Sequence, residues 1–353
     1  MKIFDYSFLQ GVSVPARVLS LISSISEMKV TSNEQERVYT ESFHVLEDIA
    51  LVNSVRSSNA IEGIVTSDIR IQELVINRDK PQNHTEAEIS GYRDALNYIH
   101  NEHDNIDFNV ETTLFLHSVL NSYSPVQGGS FKTLDNVITQ IDASGRRSVR
   151  FTPVSARETQ DAMQQLVLAY MDARSNPNIH TLLLIPCVIL DFLCIHPFSD
   201  GNGRISRLLS LLLLYKSGYT VGKYISFEEQ INERKSMYYE ALKKSSDNWH
   251  ENANDYFPFI DNFASTLFTC YCELDRRFTV VNGNPLTKED RIKQAVIKSI
   301  VPISKSEIAK LLPDVSISTI EVVLAKLVKD GTIVKIGSSR STKYRRSQNT
   351  ELS

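Results

Sequence analysis

Glycine, proline and cysteine are all scarce in this chain of 353 residues, with 13, 11 and 4 copies. Glycine and proline stand at about half to two-thirds of ordinary usage, which leaves few tight turns, argues against many short strands and predicts a mostly helical protein. Four cysteines make no disulfide framework, and a chain of this length can bury a sizeable apolar core without one. Cys187 and Cys194 lie in the most apolar stretch and read as small core residues. Cys270 and Cys272 would point about 200° apart on a helix, which suits neither a disulfide nor a metal clamp. A reducing cytoplasm is the expected setting.

A leader or membrane-spanning signature is also missing. Met1 to Val14 mixes Lys2, Asp5 and Gln10 among its apolar residues, and the apolar run Ile179 to Ile195 contains His180, Pro186 and Asp191. A spanning helix wants about twenty apolar residues with no carboxylate in mid-segment, so this run reads as a buried core helix and no membrane partner is expected. Neither charge dominates: 38 Lys and Arg stand against 42 Asp and Glu, a net −4, so the whole chain offers no electrostatic reason to expect nucleic acid.

What the sequence does contain is helical periodicity. Thr31 to Gly63 predicts one long helix, with Thr31 and Glu34 at capping-box spacing, Val38, Val45, Ile49, Val52 and Val55 at helical intervals and Gly63 as the stop. Further helices are expected over 68–77, 84–101, 110–121, 155–173, 179–194, 204–217, 228–243 and 255–277. Between 124 and 153, Gly128, Gly129 and Gly145 flank the run Val137-Ile138-Thr139-Gln140-Ile141, which predicts a β-hairpin leaning on the helices.

The stretch His196-Pro197-Phe198-Ser199-Asp200-Gly201-Asn202-Gly203-Arg204-Ile205-Ser206-Arg207 joins two of these helices. Gly201 and Gly203 let the backbone turn and expose successive N–H groups at a helix start, which makes an anion cradle. Arg204 and Arg207 fall in the first turn of that helix, where its dipole disfavours cations, so an anion from outside is expected; a polyphosphate fits. Asp200 is one carboxylate beside the cradle, and Mg²⁺ is commonly held by one or two carboxylates together with phosphate oxygens. His196 can accept a proton near neutral pH, as activation of a hydroxyl requires, and Phe198 is expected to anchor the loop.

Over these twelve positions the chain matches HPFx(D/E)GNGRxxR at all nine specified ones and so resembles the Fic family. The resemblance implies a helical core with a β-hairpin flap. It implies an enzyme of the nucleotidyltransferase class, a protein adenylyltransferase moving AMP from ATP to a Ser, Thr or Tyr hydroxyl of a target protein with release of pyrophosphate. Carried over residue by residue, it makes His196 the general base and Asp200 the Mg²⁺ ligand. Gly201, Asn202 and Gly203 become the cradle of the α- and β-phosphates, and Arg204 and Arg207 the clamps on the outer ones. The hairpin would be the flap that docks the target by strand addition, with Val137, Ile138, Thr139 and nearby Lys132 as its candidates. The segment from Ile231 to Tyr239 resembles the family's adenine-side segment, so Asn232 and Tyr239 are read either as base contacts or as a helix start and a core tyrosine.

Ser58-Asn59-Ala60-Ile61-Glu62-Gly63 matches the family's inhibitory pattern (S/T)xxxE(G/N). Glu62 falls at a helix C-terminus, where the dipole disfavours an anion and a cationic partner is wanted. The resemblance names Arg207 as that partner, in a bidentate pair that would occupy the guanidinium needed for the γ-phosphate. Glu62 can alternatively orient water for removal of AMP from a modified target.

Past Asn282-Gly283-Asn284-Pro285 the composition shifts: 288–346 holds 13 Lys and Arg against 6 Asp and Glu, a net +7 that leaves the rest of the chain at −11. Helices over 288–300, 305–312 and 316–330 followed by strands over 332–336 and 341–345 resemble a winged helix-turn-helix. Its DNA-binding reading puts Arg340, Lys343, Arg345 and Arg346 on phosphates, though the would-be reading helix lacks Arg, Asn and Gln. Target docking, self-association and a merely solvated basic face are the other readings open to it.

The expected fold class is therefore mainly α: a Fic-type helical core with a β-hairpin flap and a C-terminal winged helix-turn-helix module. The expected division is 1–83 for an N-terminal region carrying the inhibitory helix, 84–281 for the catalytic core, 282–287 for a linker, 288–346 for the winged helix and 347–353 for a tail. A transcription regulator with a nucleotide-sensing core is the non-enzymatic alternative.

Overall fold

A computed structural model describes residues 2–125, 127–141, 145–278, 287–297, 299, 302–312, 315–337 and 342–347. Its N-terminal part is helical: α1 (Ala16–Val38), α2 (Thr40–Ile61), α3 (Asp68–Val75), α4 (His84–Glu102) and α5 (Val110–Leu120). Then come the strands β1 (Ile138–Ile141) and β2 (Arg147–Phe151). Helices resume as α6 (Thr159–Arg174), α7 (Thr181–Ile195), α8 (Asn202–Lys216), α9 (Phe227–Glu233), α10 (Lys235–Ser246) and α11 (Phe257–Phe278). The C-terminal part holds α12 (Lys288–Ile297), β3 (Ile303–Ser304), α13 (Lys305–Leu311), α14 (Ile317–Lys329), β4 (Ile333–Ile336) and β5 (Lys343–Arg346). Among the described residues no helix is long and apolar enough to cross a membrane.

The apolar run forms the central helix. Every residue of α7 from Leu182 to Phe192 is buried, and the helix packs on α6, α8, α10 and α11. Asp191, the carboxylate that spoils this run as a membrane span, is fully buried. It accepts hydrogen bonds from the Tyr6 hydroxyl at 2.7 Å, the Trp249 indole N–H at 2.6 Å and the Tyr256 hydroxyl at 3.0 Å. Three donors from distant parts of the chain thus converge one turn before the end of the helix that presents His196.

Two expected helices are each divided. The stretch 31–63 is not one helix: Tyr39 leaves helical geometry (φ −118°, ψ 40°), and Thr31 lies inside α1, not at a cap. The physical reason is packing in two directions, α1 lying chiefly on α11 and α2 on α4, α9 and α13. The stretch 228–243 likewise breaks at Arg234 (φ −120°, ψ 33°) into α9 and α10. β1 and β2 pair antiparallel, Ile138 opposite Phe151 and Thr139 opposite Val149, with an irregularity between Ile138 and Thr139.

In the C-terminal part, three helices pack with an antiparallel sheet of order β3-β5-β4. The short strand β3 was not expected from the sequence. α13 begins with a reciprocal capping box between Ser304 and Glu307 and lies against α2, so this part docks on the helix that ends at Glu62. Of the four residues read as phosphate contacts, Lys343 is exposed, Arg345 and Arg346 are half-buried, and Arg340 lies outside the described residues, as does most of the expected linker. Lys326 of α14 is paired with Glu289 at 2.7 Å.

Replacing the Asp191 carboxylate leaves three buried donors without their acceptor, so Asp191→Ala should lower unfolding free energy by about 3 kcal/mol or more. Urea denaturation checks this, and a loss below about 1 kcal/mol would contradict the role given to the network.

Candidate active site

The loop between α7 and α8 is held from both sides. His196 ends α7 in the left-handed region (φ 52°, ψ 61°), a conformation that a non-glycine residue keeps only when its surroundings over-determine it. Phe198 is buried, its ring 3.8 Å from His117 in a stacked pair. The Asn202 side chain accepts from the Phe198 N–H at 2.9 Å and donates to the Phe198 carbonyl at 2.8 Å. Asn202, expected in the phosphate cradle, therefore has its side chain committed to bracing the loop, and only its main chain is left to face a ligand. Gly201 opens α8 at φ 82°, where a side chain would be strained and would also press on Leu120.

His196 is set up as a base. Its Nδ1 lies 3.2 Å from the Leu193 carbonyl, which can only accept, so the proton sits on Nδ1 and Nε2 keeps its lone pair. Burial, with a further push from the Lys132 ammonium, lowers its pKa to about 4, so the ring is neutral at physiological pH. Lys132, expected on the target-docking flap, is instead buried beneath the loop. It donates from Nζ to Asn136 Oδ1 at 2.8 Å and to the Ile195 carbonyl at 3.2 Å, and from its backbone N–H to Pro197. Burial lowers its pKa to about 8. A long stem carried the ammonium to a helix C-terminus, a cap that spacing in the sequence did not reveal.

The two motif arginines are buried yet differently served. Arg204, 3% exposed, reaches Glu88 at 3.0 Å and Asp200 at 3.4 Å through Nη2, while its Nε and Nη1 are buried without a hydrogen-bond partner among the described residues. Unpaired guanidinium nitrogens at a helix N-terminus suit an anion. Arg207, 2% exposed, donates from Nε to Ser58 Oγ at 2.8 Å and from Nη2 to the Ser58 carbonyl at 2.9 Å and Glu62 Oε1 at 2.8 Å. Burial works most strongly against its charge, but the Glu62 carboxylate together with the neighbouring Tyr92 and Tyr238 more than offsets it and keeps the guanidinium protonated. The contact with Glu62 is single, not the bidentate pair expected, because Ser58 takes the guanidinium's other side.

Glu62 ends α2 and puts Oε1 against Gly203, so close that even a methyl group there would collide with it. Its carboxylate therefore lies on the cradle itself. The Lys235 ammonium donates to the Ile61 carbonyl at 2.6 Å and offsets the adverse end of the α2 dipole.

Four of these groups border one cavity of about 370 Å³, whose lining does not include Gly201, Asn202 or Arg204. Glu62, His196, Gly203 and Arg207 line it, together with Ile138, Thr139 and Tyr239 from the expected flap and adenine residues. Asn232 is not among its lining residues and Val137 is exposed outside it. Phe151 and Leu242 give the cavity an apolar side, beside the half-buried Arg150, whose Nε has no hydrogen-bond partner among the described residues. Arg150, Glu88, His117 and Lys235 were missed in the sequence: each reaches the site from a different element, and of them only Lys235 lies in the adenine-side segment singled out there, between Asn232 and Tyr239. Asp200 is not among the lining residues; its side chain is 88% exposed and 3.4 Å from Arg204. Among the described residues no cluster of three His, Cys, Asp or Glu side chains can hold a metal, so a cation here would need phosphate oxygens as well as Asp200, a donor set suited to Mg²⁺.

The imidazole should therefore resist protonation. Nitrogen-detected NMR of His196 should show the Nδ1–H tautomer and a midpoint near 4 (below the usual 6.5), whereas a midpoint near 6.5 would contradict the burial given to the ring.

Comparison with known proteins bears on this geometry. Residues 107–214 match the model of the Fic/DOC family, a span that includes α5 to most of α8 and so the whole loop. The chain is 27% identical over 235 residues to "Protein adenylyltransferase fic-1" of Caenorhabditis elegans, covering 61% of this chain and 43% of that protein. It is 25% identical over 259 residues to "Protein adenylyltransferase Fic" of Culex quinquefasciatus, covering 69% of this chain and 47% of that one. The chain thus spans about half the length of the curated relatives it matches. A solved Fic family protein from Desulfovibrio desulfuricans superposes with a TM-score of 0.58 at 17% identity, over 97% of this chain and 99% of that one. A Fic domain containing signaling protein from Bacteroides thetaiotaomicron superposes at 0.57 with 20% identity, over 73% and 94%. The loop that holds His196 and both buried arginines thus lies inside a segment matching the Fic/DOC family, in a mainly helical fold shared with Fic structures.

Proposed function

We propose that the protein is an ATP- and Mg²⁺-dependent protein adenylyltransferase restrained by its own Glu62. The observation that carries this reading is the pairing of a free His196 Nε2 with a phosphate cradle on which the Glu62 carboxylate rests.

In the proposed reaction a target hydroxyl oxygen attacks the α-phosphorus of ATP, the bond to the bridging oxygen breaks, and pyrophosphate leaves. His196 Nε2 takes the hydroxyl proton. Backbone N–H groups of the Gly201–Gly203 turn and the start of α8 receive the phosphate oxygens, and Arg204, with two guanidinium nitrogens unpartnered, neutralises their charge. Asp200 would hold Mg²⁺, whose chemistry is to screen the phosphate charge and polarise the phosphoryl group. The apolar side formed by Phe151, Leu242 and Tyr239 suits a purine ring. Ile138 and Thr139, on the strand that borders the same cavity, suit a target backbone laid alongside.

Glu62 opposes this in two ways: it occupies Arg207, and its negative charge lies where a phosphate must come. Removal of AMP is the second reading, supported by Glu62 and His196 lining one cavity, where the carboxylate can orient water. The C-terminal helices and sheet have the element order of a winged helix, for which we propose a docking role against α2.

With Mg²⁺ and ATP labelled at the α-phosphate, Glu62→Gly should raise label transfer to protein by roughly tenfold to a hundredfold, the worth of a charged hydrogen bond of ~1.5–3 kcal/mol, and His196→Ala should abolish it. Equal transfer by wild type and Glu62→Gly would sink the restraint. Transfer that survives His196→Ala would sink the catalytic assignment.

A further inference from the structure

A second and larger cavity, of about 640 Å³, opens between α2, α9, α11 and the C-terminal part, and shares no lining residue with the cavity at His196. Its walls carry six Arg and Lys side chains against three glutamates. The glutamates are already engaged in part. Glu273 takes Arg276 at 3.0 Å and Arg277 at 3.5 Å, and Glu229 takes Arg56 at 3.2 Å and the Asn53 amide N–H at 3.0 Å. Lys293, on α12, has no carboxylate partner among the described residues. The surplus is therefore cationic and drawn from both sides of the cleft.

Two buried polar atoms in the same walls have no hydrogen-bond partner among the described residues. Asn53, 3% exposed, leaves Oδ1 unsatisfied, and Arg277 leaves Nε unsatisfied. Buried polar groups are seldom left so, and here one is an acceptor and the other a cationic donor. A molecule matching both carries a hydroxyl for Asn53 and an anionic oxygen for Arg277. An adjoining cavity of about 450 Å³, lined by Ala295, Leu311 and Leu312, shares Arg276 and Arg277 and leaves room for a carbon skeleton. Ligand sites commonly span about 300–1,000 Å³ and fix orientation with a few such polar groups.

We propose that this cleft is a regulatory site for a phosphorylated, hydroxyl-bearing small molecule. Its phosphate lies among Arg276, Arg277 and Lys293, and its hydroxyl donates to Asn53 Oδ1. Asn53 and Arg56 belong to α2, the helix that also supplies Ser58 and Glu62 to Arg207, so occupancy of the cleft bears directly on that pair. The site's existence is independent of the proposed function; its regulatory effect rests on that function.

Calorimetric titration of the full chain with glucose 6-phosphate, and with inorganic phosphate, tests the site. Glucose 6-phosphate should bind wild type and Arg204→Gln alike, since the latter lacks only the cradle arginine. It should bind at least about tenfold more weakly to the double variant Arg276→Gln/Lys293→Gln, and inorganic phosphate about threefold to tenfold more weakly to wild type. Absence of binding, or binding lost in Arg204→Gln but kept in the double variant, overturns the site. Where glucose 6-phosphate binds, it should change α-label transfer by about fivefold or more in wild type and not in the double variant; an unchanged rate overturns the regulatory half. Absence of label transfer by every protein, Glu62→Gly included, is a failure of the adenylyltransferase reading, and the titration still decides the site.

Discussion

The structure depends on how the Arg207 guanidinium is buried. A cation taken almost wholly out of water must find charge and hydrogen bonds inside the protein, or the helix that carries it cannot pack where it does. Here Ser58 supplies a hydroxyl and a carbonyl, and Glu62 supplies the charge. All three oxygens come from the last turn of α2, so the N-terminal helices are a structural part of the site and not an appendage to it. The same requirement explains the position of Glu62, an anion at the unfavourable end of a helix dipole that gains a buried cation in return.

Two helix ends thus meet at the cradle. The N-terminus of α8 carries free N–H groups, and the carboxylate at the end of α2 lies against Gly203 in its first turn, a position that suits the α8 dipole and opposes that of α2, which Lys235 and Arg207 offset. In the proposed function a polyphosphate would offer α8 the same charge complement in larger measure and would compete with Glu62 for one arginine. Arg204, tethered to Glu88 through a single nitrogen, retains capacity that Arg207 has spent on α2. The difference between the two arginines is a difference in partners, not in burial.

Much of this was legible in the sequence wherever the needed residues are close in the chain. The loop from His196 to Arg207 could be read because its turn, helix start and arginines lie within twelve positions. The Ser58–Glu62 turn could be read for the same reason, and the hairpin from its glycines and β-branched run. What escaped came from distant elements: Glu88 on α4, His117 on α5 and Lys235 on α10 have spacings to the loop that carry no periodic signal. Lys132 was misplaced because its long stem turns inward to the end of α7, and Asn202 because its amide serves the Phe198 backbone. The division of 31–63 into two helices was hidden because both halves are good helix formers, and only their separate packing partners separate them.

The central claim is that Glu62 and the outer phosphates of ATP compete for the same guanidinium. Calorimetric affinities of ATP and adenosine for wild type and Glu62→Gly test it most directly. The account predicts that the substitution tightens ATP by about tenfold, the worth of one charge-assisted hydrogen bond, and leaves adenosine unchanged. Equal gains for both ligands, or no gain for ATP, would contradict it.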